Sequence, residues 1–368
     1  MKVLHLLATG EIGGIETLIK NYDEYSQNDN IYLFVWGGGV ITDELKNRGR
    51  KTIILNKTNR QFMEVFQNVA QICKEEKIQT IVVHHESPLL KLLIVGLKIK
   101  LSCLPVIAYA HAHADIICNE NKSKGLKIRK FIQRVGFLYA DGVIAISNTV
   151  AESIKELLKV SEEKIQIIYN GIPLKHYKEF YAKETENTYR VTYVGRLSVE
   201  KGVQNIIDLF SMLGEELQKQ IELQIVGDGP YRKELEHRAK EKNLSMIKFL
   251  GNRTDVPEIL GDSHFFVHFP ACEEGFGIAV AEAMAAGNIC ICLKRGAIGE
   301  IIDHTVDGYL LNELDSVQLG MLLQKAMENY ETEEFRCMRE NAMKKAKSFS
   351  IEQFSQQLDE YIYTISNK

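Results

Sequence analysis

The chain has 368 residues, 45 of them Lys or Arg and 49 Asp or Glu, for a formal net charge of -4 at pH 7. That length is too great for one hydrophobic core and suits two domains of ordinary size, and the near-balanced charge gives no global reason to expect a nucleic-acid partner. The start, Met1-Lys2-Val3, reads as free of a signal peptide. The seven cysteines (Cys73, Cys103, Cys118, Cys272, Cys290, Cys292, Cys337) form no Cys-x-x-Cys pair and no Cys/His metal spacing, which predicts reduced thiols in a cytoplasmic protein.

The first half alternates short apolar runs with helical periodicity. Strands are predicted at 3–7, 31–36, 52–55, 80–83, 106–110, 142–146 and 165–169, with helices between, as where Ile15, Leu18, Ile19 and Tyr22 recur at i, i+3, i+4 and i+7. This pattern predicts a mostly parallel sheet covered by helices on both faces. In such sheets ligands sit beyond the carboxyl ends of the strands, so each post-strand loop is a candidate site. The first, Thr9-Gly10-Glu11-Ile12-Gly13-Gly14-Ile15-Glu16, has the spacing G-x-x-G-G and not G-x-G-x-x-G, which argues against a nicotinamide dinucleotide. A plain tight turn explains it as well as a ligand loop does. His84-His85-Glu86 follows another strand; adjacent strand residues point to opposite faces, so structure or acceptor contact is preferred there over a metal. The run 89–101 is apolar but broken by Lys91, Lys98 and Lys100, too short and too charged to span a bilayer, and reads as a packed helix. Ala110-His111-Ala112-His113-Ala114-Asp115 carries a His-x-His pair with no third metal ligand at a convincing spacing. Lys122, Lys124, Lys127, Arg129, Lys130 and Arg134 then interleave with Ile128, Phe131, Ile132, Val135 and Phe137. This segment reads either as an interfacial helix for anionic lipid or as the charged face of an ordinary packed helix.

After Asn170-Gly171-Ile172-Pro173 the stretch 174–188 is polar without a period and is expected to be the domain linker. The pattern restarts with strands at 190–194, 223–226, 247–250, 265–269, 288–293 and 309–311. Gly195, Arg196 and Lys201 stand in Val194-Gly195-Arg196-Leu197-Ser198-Val199-Glu200-Lys201-Gly202, where two cations five residues apart can converge on one diphosphate, Arg196 as a planar fork and Lys201 as a point charge. Val226-Gly227-Asp228-Gly229-Pro230 reads as a tight turn. In the stretch 269–287, FPACEEGFGIAVAEAMAAG, a strand leads through a tight loop into a helix from about Phe276 that is apolar on every face and stops at Gly287. Its start, with Gly275, Phe276, Gly277 and Ile278, favours an anion such as phosphate. Glu274 and Glu282 bracket that site, and a carboxylate inside so apolar a helix needs a partner. A last helix carries Ile351, Phe354, Leu358, Tyr361, Ile362 and Ile365 on one face.

Two Glu with seven residues between them, Gly-Phe-Gly after the first and Glu-Ala-Met-Ala around the second, resemble the signature of retaining family 4 glycosyltransferases. Gly195-Arg196-Leu197…Lys201-Gly202 is similar to that family's Gly-Arg-Leu…Lys-Gly motif, Gly227-Asp228-Gly229-Pro230 to its Gly-x-Gly-Pro turn, and Gly13-Gly14 to its Gly-Gly loop. The resemblance implies a GT-B fold: two doubly wound Rossmann-like α/β domains facing across a cleft, an acceptor-side domain at 1–173, a donor domain at 189–350, and a helix at 351–368 crossing back to the first domain. It implies a retaining transfer from a nucleotide-sugar, a UDP-sugar by preference, to a glycan or lipid-linked acceptor in cell-surface polysaccharide or glycoconjugate synthesis. Glu274 would hold hydroxyls of the transferred sugar, Glu282 the ribose, Arg196 and Lys201 the diphosphate, and Gly13, Gly14, Gly195 and Gly227 would line the donor. A cleft histidine contacting the donor is also implied; the choice falls on His113, with His111 beside it. No Asp-x-Asp motif is present, so neither metal nor cofactor is expected, Arg196, Lys201 and a helix terminus taking the metal's place. Peripheral contact with the inner face of the membrane would fit a lipid-linked acceptor, and no nucleic acid is expected. The sequence departs from the family pattern at Ala271, Asn288 and Ser263-His264, and Glu300 is given only a structural or donor-side role. A phosphorylase or sugar-nucleotide isomerase on the same scaffold, or a non-catalytic nucleotide-binding module, are the competing readings.

Overall fold

The structure, a computed structural model, describes residues 1–114, 125–177 and 188–368, with the backbone alone at 125–127. Asp115, Cys118, Lys122 and Lys124, and most of the expected linker, lie outside the described residues. The chain divides into two compact units, Met1–Gly171 with Ile351–Lys368, and Ile172–Ser350. Leu174–His176, from the stretch expected to be linker, forms a single 3₁₀ turn in the second unit.

The first unit holds a seven-stranded sheet, β1 (Lys2–Thr9), β2 (Asp29–Gly37), β3 (Lys51–Ile54), β4 (Thr80–Val83), β5 (Val106–Ala110), β6 (Gly142–Ala145) and β7 (Ile165–Ile167), in the order β3-β2-β1-β4-β5-β6-β7. Every pair is parallel. Helices α1 (Gly14–Tyr25), α2 (Val40–Asn47), α3 (Phe62–Glu75), α4 (Pro88–Lys100), α5 (Gly125–Tyr139) and α6 (Asn148–Leu158) connect the strands. The strand order reverses between β1 and β4, as a doubly wound sheet requires. The central strands are buried on both faces, which is why they read in sequence as unbroken apolar runs.

Polar residues in that core are paired. Fully buried His5 in β1 reaches Asn30 Oδ1 through Nε2 at 3.0 Å and His84 Nε2 through Nδ1 at 2.8 Å. Since Asn30 Nδ2 donates to Ser26, its Oδ1 is the acceptor, so His5 carries its proton on Nε2 and accepts from His84. Burial lowers the pKa of His5 to about 4, so it stays neutral at physiological pH. His84, bonded to His5 through Nε2, thus has a structural role in the core.

The C-terminal helix, here α13 (Ile351–Ser366), belongs to the first unit and buries Ile351, Phe354, Leu358, Ile362 and Ile365. Tyr361, expected on the same face, donates its hydroxyl to the carbonyl of Lys164 at 3.2 Å. Asp359 anchors the helix. It accepts from Tyr22 Oη at 2.5 Å, Ser26 Oγ at 3.0 Å, Asn28 Nδ2 at 2.9 Å and the backbone N–H of Gln27 at 2.7 Å.

The second unit holds six strands, β8 (Tyr189–Val194), β9 (Ile221–Val226), β10 (Ile247–Gly251), β11 (Phe265–His268), β12 (Ile289–Leu293) and β13 (Tyr309–Leu311), in the order β10-β9-β8-β11-β12-β13, again all parallel. Its longer helices are α7 (Val203–Ser211), α8 (Arg232–Glu241), α9 (Val256–Asp262), α10 (Ile278–Ala285), α11 (Ser316–Glu328) and α12 (Glu333–Ala346). The reversal falls between β8 and β11, so the loops after these two strands meet at the switch point. Cys290 and Cys292 are buried in β12, as expected of core residues.

Candidate functional site

The loops after β8, β9 and β11 form one packed group, and glycines permit it. A Cβ at Gly227, where φ is +126°, would lie 2.0 Å from the carbonyl oxygen of Gly195. One at Gly202, where φ is +72°, would lie 2.0 Å from the carbonyl oxygen of Phe269. Only glycine tolerates both that backbone and that approach. Gly195 and Gly227 therefore shape the loops by contact with each other.

The 269–274 segment is braced from three sides. Asn205 Nδ2 donates to the Phe269 carbonyl at 2.9 Å, Ala271 N–H to the Glu200 carbonyl at 3.0 Å, and Arg295 Nη1 to the Pro270 and Ala271 carbonyls at 3.2 and 3.0 Å. The backbone of Glu274 accepts from Ala297 N–H at 2.9 Å. These contacts fix where the Glu274 carboxylate points.

That carboxylate lies between two cation-capable groups. Lys201 Nζ, at the end of a 3₁₀ turn, is 2.8 Å from Oε2 and 3.1 Å from Oε1, and His268 Nε2 is 3.1 Å from Oε2. Burial alone would raise the Glu274 pKa; the Lys201 ammonium and the His268 hydrogen bond outweigh it and hold the carboxyl well below its ordinary range. His268 is itself buried, stacks on Tyr193 with ring centroids 6.1 Å apart, and keeps its Nδ1 without a hydrogen-bond partner.

Lys201 is bound to Glu274, while Arg196 is exposed and acts with Lys201 on Glu200. The reason is geometric. The turn Val199–Lys201 redirects the chain, so Lys201 reaches toward the end of β11.

The helix after Glu274 also begins later than Phe276. Gly277 takes a left-handed conformation (φ +93°), which no right-handed helix can include, so α10 starts at Ile278 with no side chain capping it. Gly275, Phe276 and Gly277 are buried, and the Phe276 ring turns inward against Phe349 with centroids 5.4 Å apart; what Phe276 presents to the loop is backbone. Ile278 is half-buried. Gly287 ends the helix with φ +71°.

Glu282 does have the partner its apolar surroundings call for. The Tyr177 hydroxyl bonds to it, yet burial dominates and raises the Glu282 pKa to about 7. Asn288, Ser263 and His264, which depart from the family pattern, make hydrogen bonds within the fold. Asn288 Nδ2 bonds the carbonyls of Leu260 and Ala283 at 2.9 and 3.1 Å, Ser263 pairs with Thr192 at 2.6 Å, and His264 Nδ1 accepts from Arg190 N–H at 3.1 Å.

In the first unit, the close backbone approach around the glycine loop is at Gly10 and Gly39. A Cβ at Gly10 would lie 2.3 Å from Thr42 Cγ2 and one at Gly39 2.6 Å from the Gly10 carbonyl oxygen, whereas Gly14 has open space around it and Gly13, the N-cap of α1, meets only the flexible Glu16 carboxylate. β5 ends at Ala110, as predicted, so His111 and His113 both lie past the strand. His111 stacks on Tyr109 at 4.2 Å, its backbone N–H donates to Glu86 Oε1 at 2.9 Å, and burial lowers its pKa well below the ordinary value. His113 is half-exposed. Glu86 pairs at 3.2 Å with Lys91, which is fully buried. Among the described residues no cluster of three His, Cys, Asp or Glu is placed to hold a metal.

The profile described as Glycosyl transferases group 1 matches residues 178–345, over the loops just described, and that of Glycosyltransferase Family 4 matches residues 12–176. An uncharacterised glycosyltransferase of Methanocaldococcus jannaschii is 30% identical over 261 residues, 70% of this chain and 67% of that protein. The chain belongs to the group 1 glycosyltransferases. The N-acetyl-alpha-D-glucosaminyl L-malate synthase of Bacillus anthracis is 26% identical over 301 residues, 78% of this chain and 73% of that glycosyltransferase relative. The fold matches that of the Anabaena protein HepE, solved in complex with UDP, with a TM-score of 0.84 over 99% of this chain and 100% of that one, at 21% identity. A GT-B glycosyltransferase is thus the shared description of both halves.

Sequence reasoning missed His268, Asn205, Arg295 and Tyr177. A signal existed for His268, an imidazole in the otherwise apolar strand β11. None existed for Tyr177, which stands in a polar stretch without a period.

Proposed function

We propose that this glycosyltransferase moves a sugar from a UDP-sugar to a glycan or lipid-linked acceptor, with retention of anomeric configuration, without a metal, in cell-surface glycan synthesis. The observation that carries the reading is the Lys201–Glu274–His268 cluster at the β8/β11 switch point, with Glu282 about one turn into α10. UDP is favoured as the nucleotide because HepE has been solved with UDP and with UDP-glucose, at TM-scores of 0.84 and 0.83.

Within this reading the donor takes over bonds the protein makes to itself. The ribose hydroxyls replace the Tyr177 hydroxyl on Glu282, and the sugar hydroxyls donate to Glu274. The Lys201 ammonium is shared between Glu274 and the diphosphate, and Arg196 adds the second charge as the leaving group becomes more anionic. Breaking the glycosyl phosphate bond needs that neutralisation, and the Lys201 and Arg196 cations beside amide-rich loops supply it with no divalent ion. The acceptor hydroxyl attacks on the face the nucleotide leaves.

The test is a thermal-shift screen against UDP, GDP and ADP and their common sugars, with and without chelator, repeated on Glu282→Ala and Lys201→Ala. A chelator-insensitive shift with uridine nucleotides, weakened in both variants, is expected. No shift with any nucleotide would refute the donor assignment, and turnover without acceptor would replace transfer by isomerisation. The anomeric configuration of the product, read by NMR, tests retention.

A further inference from the structure

Helices α4 and α5 carry the wrong residues on their outward faces. On α5, Gln133, Gly136 and Phe137 are buried, while Ile128, Phe131 and Leu138 lie along the opposite side with exposures of 63, 66 and 37%, and Tyr139 at the end with 48%. On α4 the same inversion exposes Leu92 and Ile99, seven residues apart on one face. Of the sixteen large apolar side chains exposed among the described residues, six lie on these two helices. That is too concentrated for the scattered exposure normal on a soluble surface.

The two helices form one continuous surface. A Cβ at Gly136 would lie 2.6 Å from Lys91 Cβ, so α5 and α4 meet at backbone distance, and buried Lys91 packs its ammonium 4.0 Å from the centre of the Phe137 ring. The two helices carry charge of one sign, and the adjoining carboxylate, Asp141, is paired with Lys98 of α4 at 2.9 Å. Neither PLLKLLIVGLKIK nor GLKIRKFIQRVGFLY contains an Asp or Glu, although the whole chain is acidic by four charges. Lys130 and Arg134 are exposed beside the apolar stripe and pair with no carboxylate among the described residues. Lys100, also exposed, lies over the Phe66 ring.

We propose that the outward face of α4 and α5 docks on the surface of a bilayer containing anionic lipid. An apolar stripe flanked by cations, with no carboxylate in either helix, complements an acyl boundary beneath negative headgroups. Neither helix is long and apolar enough to cross a membrane, so the contact is peripheral. A protein partner would more often match such a stripe with a polar rim of both signs. The inference does not rest on the donor reading, since no residue of the nucleotide site is used.

The experiment is co-sedimentation of the full chain with phosphatidylcholine vesicles with and without phosphatidylglycerol. Three double variants are compared with the wild type: Ile128→Ser with Phe131→Ser, Lys130→Glu with Arg134→Glu, and, as a control on exposed apolar residues of α11, Val317→Ser with Met321→Ser. All six positions are exposed, so folding is preserved and is checked by melting temperature. Binding only to the anionic vesicles is expected, with a loss of about tenfold or more in partitioning for each of the first two variants and none for the control. Absence of binding to anionic vesicles, equal loss in the control, or wild-type binding by the charge-reversal variant would each overturn the proposal. So would a dimer of the free chain that dissociates in Phe131→Ser while no vesicle is bound, which would assign the face to a second copy.

Discussion

Replacing Lys201 by Met removes an ammonium that lies 2.8 Å from a carboxylate oxygen while keeping the length of the side chain. Glu274 is mostly buried, with 12% of its side chain exposed, so its charge would be left with only His268 as a strong partner. Breaking a fully buried pair costs about 3–5 kcal/mol. Lys201 is 37% exposed and partly solvated in the fold, which reduces this to about 1–3 kcal/mol. At about 2–4 °C per kcal/mol for a domain of this size, the melting temperature should fall by about 5 °C near neutral pH. The pH dependence separates this cause from a packing defect. In the wild type the Glu274 pKa is depressed, so its ionisation stabilises the fold above the unfolded-state value and that stabilisation fades as pH falls below about 4. In Lys201→Met burial is opposed less strongly and the folded pKa rises toward or above the unfolded value, so protonation relieves the variant. The difference in melting temperature should therefore shrink as pH is lowered from about 7 to about 4. Melting curves across that range on both proteins make the test. A difference that stays constant with pH would refute the claim that Lys201 acts on Glu274 through charge.

The Glu282 carboxyl, with its pKa raised to about 7, must ionise to accept ribose hydroxyls, so UDP affinity should weaken as pH falls through that value and become pH-independent in Glu282→Gln, measured by calorimetry. Ionising that group also burdens the fold, so Glu282→Gln should gain stability relative to wild type as pH rises from about 4 through about 7. Tyr177→Phe removes the hydroxyl that lowers the Glu282 pKa, so the affinity midpoint should move to higher pH in that variant. Arg295→Ala frees the carbonyls of Pro270 and Ala271; because the loop carries Glu274, nucleotide-sugar affinity should drop by about tenfold, near 1.4 kcal/mol, with a smaller effect on UDP alone. Asp359→Ala strips four donor groups of their acceptor on α1 and the turn after it, and urea denaturation should show a loss of about 2–4 kcal/mol in the first unit. Asp359→Asn, which keeps an acceptor oxygen, should recover part of it.

Sequence reading found every strand described in the two sheets because the central strands are buried on both faces and all leave short apolar or β-branched runs between glycine-rich and polar punctuation. The boundary it misjudged has a local cause: Gly277 in a left-handed conformation delays α10 past Phe276. The residues proposed to hold the donor were legible where a short motif holds them, as with Glu274, Glu282, Arg196 and Lys201. Which of them touch was not. Lys201 and Glu274 are 73 residues apart, and their pairing depends on the 3₁₀ turn after β8 meeting the loop after β11. Tyr177 on Glu282 and Arg295 on the Pro270 and Ala271 carbonyls are likewise long-range contacts with no periodic trace.

The glycine loops show the same division. Gly13 and Gly14 stood out by spacing, yet Gly10 and Gly39 carry the close approach, because steric need is set by which loop lies opposite, and two loops after neighbouring strands lie opposite only once the sheet has formed. The apolar residues of α5 were visible in order but not in direction. Periodicity gives the angle between side chains around a helix, not which of its faces the sheet covers, and only the packing of Gly136 onto Lys91 turned Phe137 inward and left Ile128 and Phe131 outward. Local chemistry along the chain thus determined fold class, family and the residue types of the site; the pairing of Lys201 with Glu274 and the outward face of α5 were decided by tertiary structure, because each depends on the relative placement of segments that have no sequence relation to one another.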